Sequence, residues 1–322
     1  MTKAALVAVQ LEIGPDVLAS ADAYRRALDD AGARAAERGA TADARLVVFP
    51  EVAGHLALYA LAPPLARRQK TLGAALAVSA VRRPLEVLRG VSLSRTLGAR
   101  SAVLAALAPD GERWWKGVFG PLARRTRSYV VAGSHLRLHA DGSLTNSSLL
   151  FDPDGKLLAT TDKVNLVPGM EDAGKGGLGL ARGDADALPV VSTALGKLAT
   201  LVCYDGFTRP HTRHERFVPL GSHLRADVIA NPAANPWPWR ERWPFDDRVR
   251  AEQWEQEGMP AMLREAPCAR YAVTAHLVGR VLDLHFDGCS EILERAGDGR
   301  VERLARAERP DRGDLVSAIV EL

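Results

Sequence analysis

Cysteine is scarce in this 322-residue chain, which has only Cys203, Cys268 and Cys289. An odd, widely spaced set argues against a disulfide framework, and no C-x-x-C pair or His/Cys cluster has zinc-site spacing. A reducing compartment is expected, with a cytoplasmic location. Long apolar runs are missing too: no stretch reaches the roughly 20 apolar residues that span a bilayer. The N-terminal MTKAALVAVQ carries one Lys and a short apolar run. That run is too brief for a signal-peptide core and reads as a buried strand. Charge of one sign is lacking overall. Lys and Arg total 42 against 39 Asp and Glu, a formal net charge of +3, so no nucleic-acid partner is expected. Aromatics make up only 6% and cluster at Trp114-Trp115 and in the WPWRERWPF run Trp237 to Phe245.

What is present fits a globular protein. Hydrophobic residues are 47% and charged residues 25% of the chain, and this length can bury a large core. Short apolar runs read as strands: Leu6 to Gln10, Leu46 to Phe49, Tyr129 to Ser134, Ser148 to Phe151, Leu198 to Cys203, Asp227 to Ala230, Ala272 to Leu277, Cys289 to Leu293 and Val316 to Val320. Asp22 to Arg38 has its apolar residues at helical spacing. Asp152-Pro153-Asp154-Gly155 is a turn signal, with Lys156 to Thr161 as the returning strand. A second hairpin turn is expected at Ala194 to Lys197. Trp237 to Phe245 is too rich in Pro for a helix and reads as an ordered loop. Strands mixed with helices predict a single α/β domain over 1–322 with mixed sheets.

One region stands apart. From Leu61 to Arg127 there are 13 Lys and Arg against Glu86, Asp110 and Glu112. Apolar runs Leu72 to Val81 and Ala102 to Ala108 lie inside it, and Pro84 is placed to open an amphipathic helix. The 61–127 segment reads as a basic helical insertion with three alternative roles: a lid or oligomer arm, a surface resting on anionic membrane, or a site for an acidic macromolecule.

Three segments can carry chemistry, each at the end of an expected strand: Val47 to Glu51 (VVFPE), Asp162 to Glu171 (DKVNLVPGME) and Leu201 to Asp205 (LVCYD). Taken singly each has an ordinary explanation. A Cys after an apolar strand is usually a small buried hydrophobe. A Glu or Lys there is usually a solvated loop charge.

Taken in order, they resemble the nitrilase (carbon–nitrogen hydrolase) superfamily: a Glu in an FPE segment, a Lys in K-x-x-L-x-P, and a Cys in C-Y-D. Glu171 follows Lys163 by eight positions, as a second Glu does in that family. Asn146 with Asp152-Pro153-Asp154-Gly155 is similar to the family's N-x-x-x-x-x-D-P-x-G hairpin, and Asp287 to Ser290 to a later Gly-Ser turn. Four ordered motifs are a specific signal where one is weak. The resemblance implies a four-layer αββα sandwich of two mixed sheets, self-association as a dimer or higher homo-oligomer, and a small-molecule amide-like substrate. Two departures stand out: Pro210-His211 where many members have Pro-Glu, and no recognisable Glu-Asn helix before the late strand.

The chemistry the resemblance implies suits these residues. Glu51 takes the thiol proton of Cys203, and the Lys163 ammonium favours the thiolate. Lys163 and the Tyr204 N–H stabilise charge developing on the substrate. Glu171 orients Lys163, water or the substrate amine, and no metal or organic cofactor is required. Tyr204, Phe207, Asn231 and Trp237 are candidate substrate contacts, with Trp239 beside them; simple packing is the alternative for each. His211 and His214 offer a Cys–His dyad as a minor alternative. The leading expectation is hydrolysis of a non-peptide amide or carbamoyl bond. Acyl transfer from the same thioester, suited to a membrane-facing insertion, and a non-catalytic binding protein are the alternatives.

Overall fold

The computed structural model describes residues 2–93, 99–173, 177–213 and 215–322. The chain enters through β1 (Lys3–Ile13), α1 (Ala21–Arg38) and β2 (Ala44–Val48), then a helical stretch, α2 (Ala53–Ala60), α3 (Pro64–Arg67), α4 (Leu72–Arg82), α5 (Pro84–Leu93) and α6 (Ala99–Thr126). Strands β3 (Tyr129–Val131), β4 (His135–Leu138), β5 (Leu144–Phe151), β6 (Leu157–Asp162), β7 (Val190–Thr193), β8 (Gly196–Thr200) and β9 (Val228–Ala234) follow. The chain closes with α7 (Arg250–Glu257), α8 (Met259–Glu265), β10 (Tyr271–Val281), β11 (Leu284–Phe286), β12 (Glu291–Arg295), β13 (Val301–Arg306) and β14 (Asp314–Glu321).

Two mixed sheets form, and β1 belongs to both. Its first part pairs antiparallel with β14 and parallel with β2, while Leu11 to Ile13 pair parallel with β10. The first sheet continues from β2 through β3 to β5 and its hairpin partner β6. The second runs β7-β8-β9-β10, with β12 and β13 beyond.

Strand alternation sorts the core into layers. Leu6, Ala8, Leu46 and Val48 point inward and meet Leu198, Ala230, Val273 and Ile292 of the other sheet. Val7, Val9, Val47 and Phe49 point outward against Tyr24, Leu28, Trp115 and Phe119 of α1 and α6. On the far side, Ala199, Ile229 and Ala272 pack on Met259, Met262 and Leu263 of α8. The result is the αββα sandwich that the family resemblance implies.

The basic segment 61–127 is largely helical over its described residues, but it is not all appendage. Helix α6 runs through Pro109 and Pro121. Its second half buries Trp115, Val118, Phe119 and Leu122 on the first sheet, and Trp115 Nε1 donates to Ala132 O at 2.8 Å. Burial of these large side chains offsets the helix-breaking tendency of proline, which is local. The part lying beyond the sheet core is α3 to α5 and the start of α6; residues 94–98 of this segment lie outside the described residues.

Candidate active site

Three strand ends deliver the site. Glu51 follows β2, Lys163 follows β6 and Cys203 follows β8, so the sheets bring together residues far apart in sequence. Lys163 Nζ donates to Glu51 Oε1 at 2.7 Å and to Glu171 Oε2 at 2.6 Å. The Cys203 thiol donates to Ala234 O at 3.6 Å and also lies against the Glu51 carboxylate. Glu51, Lys163 and Cys203 are each less than 5% exposed.

Local backbone aims these groups. Val52 sits at φ 67° and Cys203 at φ 49°, in a region that non-glycine residues seldom occupy and that costs about 1–3 kcal/mol each. Ser134 steadies the first turn: its Oγ accepts from Val52 N at 3.0 Å and its carbonyl from Gly54 N at 2.8 Å. Gly133 makes that approach possible, since a Cβ there would lie 2.1 Å from Pro50 O. The second turn is the short 3-10 helix Cys203–Gly206. Its Asp205 accepts from Asn165 N at 2.7 Å and Val164 N at 3.2 Å, tying the lysine segment to the cysteine segment.

Asn231 does not line the cavity with the other candidates. It is fully buried, and its Nδ2 donates to Leu201 O at 2.6 Å and Cys203 O at 3.2 Å. Its place is beneath the cysteine turn, where it supports the backbone. Tyr204, Phe207 and Trp237 do line the cavity with Glu51, Lys163, Glu171 and Cys203. Trp239 is buried against Trp254 and His276. His211 stacks on Tyr204 with ring centroids 3.9 Å apart, and its Nδ1 pairs with Gln253 at 3.2 Å. Burial, then the nearby Arg250, hold it far below the ordinary histidine pKa, so it is neutral. His214 lies outside the described residues.

Two site residues escaped the sequence reading. Asn146 Nδ2 donates at 2.9 Å to both Glu51 Oε1 and Glu171 Oε1, and His55 Nε2 meets Asn146 Oδ1 at 3.2 Å. Asn146 opens the hairpin spacing that carried the resemblance, which was the available signal. Arg250 is the second. It is 2% exposed, and its guanidinium carbon lies 4.5 Å from the Trp243 ring centroid, 5.0 Å from Trp237 and 5.6 Å from Trp254. Cation–π contacts and hydrogen bonds to Asn235 and Gln253 hold it. Burial pulls its pKa down to about 9, which leaves it charged at neutral pH. The Trp-rich run ahead of it was the only signal.

The charges are tightly linked. Burial raises the Glu51 pKa against the pull of Lys163, and Glu171 adds to the rise. Burial and the Glu51 charge push the Cys203 thiol well above its ordinary value. Burial works against the Lys163 ammonium, but Glu171 and Glu51 outweigh it and raise its pKa. For Glu171, burial is outweighed by Lys163, and its pKa falls. The resting site is therefore two carboxylates, one ammonium and a neutral thiol. Losing the thiol proton to solvent would add a second uncompensated negative charge in a buried place; passing it to Glu51 leaves the total unchanged. The arrangement can thus generate a thiolate by internal proton transfer.

The carbon–nitrogen hydrolase family model matches residues 3–258. A curated Schizosaccharomyces pombe protein named as a hydrolase is 34% identical over 92 residues, 26% of this chain and 26% of its own length. The chain thus spans about a quarter of that relative. An amidase structure from Nesterenkonia sp., with acrylamide added at its active-site cysteine, is similar over 100% of this chain and 93% of that one, at TM-score 0.58 and 19% identity. A Helicobacter pylori carbon–nitrogen hydrolase structure is similar over 99% and 88%, at TM-score 0.62 and 15% identity. These structural likenesses show the shared fold, and the family match over most of the sequence shows that the chain belongs to the carbon–nitrogen hydrolase family.

Proposed function

We propose that this protein hydrolyses the carbon–nitrogen bond of a small-molecule amide or carbamoyl compound through a thioester on Cys203. The observation that carries the reading is the Lys163 ammonium held between Glu51 and Glu171, with the Cys203 thiol against Glu51. Glu51 takes the thiol proton as the sulfur attacks the carbonyl carbon and a C–S bond forms. Negative charge builds on the carbonyl oxygen, where Lys163 and the Tyr204 N–H stabilise it; one such donor is worth about 3 kcal/mol. Glu51 returns the proton to the leaving nitrogen as the C–N bond breaks. It then takes a proton from water, which attacks the thioester; the C–S bond breaks, the acid leaves and Glu51 returns the proton to the Cys203 sulfur. Glu171 keeps Lys163 in place and, with Asn146, spreads the charge of the cluster. A homo-oligomer belongs to this reading, to be checked by analytical ultracentrifugation.

The test is ammonia release from a panel of primary amides, together with an acyl adduct on Cys203 seen by intact and peptide mass spectrometry. Both are expected in the wild type and absent in Cys203→Ala. No ammonia from any amide, together with iodoacetamide labelling of Cys203 no faster than that of Cys289, would sink the reading and favour a binding protein.

A second reading is acyl transfer at a membrane surface. Leu85, Leu88 and Val91 are 71%, 64% and 57% exposed on one side of α5, close in sequence to Arg82 and Arg83. An apolar row beside basic residues suits a lipid surface. Product partition separates the two chemistries: with a long-chain primary amine presented in anionic vesicles, a transferase acylates the amine in preference to forming acid, and a hydrolase forms acid.

A further inference from the structure

We infer that the cavity leading from Cys203 beneath α2, α4 and α6 is a subsite for an extended apolar chain carried by the amide substrate. The proposal rests on the amidase reading above and names the substrate class for it.

The cavity measures about 370 Å³ and contains Glu51, Lys163, Glu171 and Cys203 in its wall. An apolar cavity of roughly 150 Å³ already stays dry and takes up a benzene-sized guest. A two-carbon amide would leave most of this space empty, and empty apolar volume forfeits packing contacts. The wall away from the charged cluster includes Leu58, Leu76, Leu104, Leu107, Leu136 and Leu178. Leu104 and Leu136 are buried in one cluster, with Leu58, Leu76 and Leu178 half-buried against it. Three of the six, Leu76, Leu104 and Leu107, come from the 61–127 segment, so the segment whose role the sequence left open supplies half of these leucines. Arg100 and Asp283 also face the cavity, but both are engaged: Asp283 accepts from Leu72 N at 2.9 Å, and Arg100 has an interaction of its own.

This wall is fastened at two points. The Asp283 bond ties the start of α4 to the β10–β11 turn. Ser101 Oγ donates to Leu178 O at 2.6 Å, tying the start of α6 to the loop that follows Glu171. The apolar wall and the charged cluster are therefore held as one enclosure. A chain in it would gain burial while its amide carbon is held at Cys203, so its binding energy serves orientation.

The experiment measures kcat/KM for acetamide, butanamide, hexanamide and octanamide, with N-octylacetamide as the arm that places the chain on nitrogen. A rise of about fourfold per methylene, equivalent to about 0.8 kcal/mol per buried methylene, is expected in one arm. The arm that rises tells which side of the amide carries the chain. Leu104→Trp, which fills the cavity, is expected to lower the octanamide-to-acetamide ratio of kcat/KM at least tenfold. Binding of octanamide and acetamide to Cys203→Ala is measured by calorimetry in parallel, so the subsite stays testable whatever the catalytic result. Release of ammonia from the primary amides and of octylamine from N-octylacetamide with no chain-length preference in either arm overturns the subsite and leaves the amidase reading intact. Tighter binding of octanamide without turnover of any amide keeps the subsite and overturns the amidase reading.

Discussion

The side-chain amide of Asn231 donates to the carbonyl of Cys203 at 3.2 Å, from beneath a cysteine whose backbone is left-handed at φ 49°. The same nitrogen holds Leu201 O, so one buried residue fastens the strand end and the turn that aims the thiol. Gly206, closing the turn, leaves room for it: a Cβ there would lie 2.9 Å from Asn231 Nδ2. Replacing Asn231 by Ala removes two buried hydrogen bonds and leaves the Leu201 carbonyl without its side-chain partner, a loss of about 1–3 kcal/mol. We expect a lowered Tm and a fall in kcat larger than any change in KM. An unchanged kcat in a folded variant would remove the aiming role.

Lys163→Met leaves Glu51 and Glu171 buried without their cation. Breaking a buried ion pair this way costs about 3–5 kcal/mol. Urea unfolding should show that loss at neutral pH, and a smaller one in acid, where the carboxylates protonate. Equal losses at both pH values would contradict the charge balance described for the site.

The acid limb of kcat/KM should report Glu51, which must be unprotonated to accept the thiol proton. Its pKa is raised, chiefly by burial, so the limb should lie above the ordinary Glu range. Glu171 contributes to that rise through its charge and also shares Lys163. Glu171→Gln should therefore move the acid limb to lower pH. A shift to higher pH would mean that Glu171 acts otherwise. Glu51→Gln should lower kcat/KM by about 10²–10⁴-fold, the usual worth of a general acid–base group.

Membrane contact through α5 has a direct check. The protein should float with vesicles containing phosphatidylserine and remain behind with neutral vesicles, and Leu85→Glu with Leu88→Glu should abolish flotation. Absence of binding to anionic vesicles removes the membrane reading. Among the described residues no helix is long and apolar enough to cross a membrane.

Much of the fold was legible because its signals are local. Apolar runs such as Leu46 to Phe49 alternate faces, and Asp152 to Gly155 favours a turn, so strands and hairpins follow from short windows, while the layering was implied by the family resemblance. The elements that sequence left undefined are those whose stability is not local. Helix α6 passes through two prolines because Trp115, Phe119 and Leu122 are buried on a sheet whose strands come earlier and later in the chain. The two helices after the Trp-rich run carried no pattern that set them apart.

The sequence by itself determined that a Glu, a Lys, a second Glu and a Cys stand in a specific order at strand ends, because motif spacing survives without coordinates. Only the tertiary structure decided what surrounds them. It put Asn146 between the two carboxylates, withdrew Asn231 beneath the cysteine turn, caged Arg250 in tryptophans and opened an apolar cavity under α4 and α6. Each depends on side chains from distant segments meeting at a distance and angle, and on what burial does to their charge. Such relations belong to the packed chain, since neither distance nor dielectric is written in residue order.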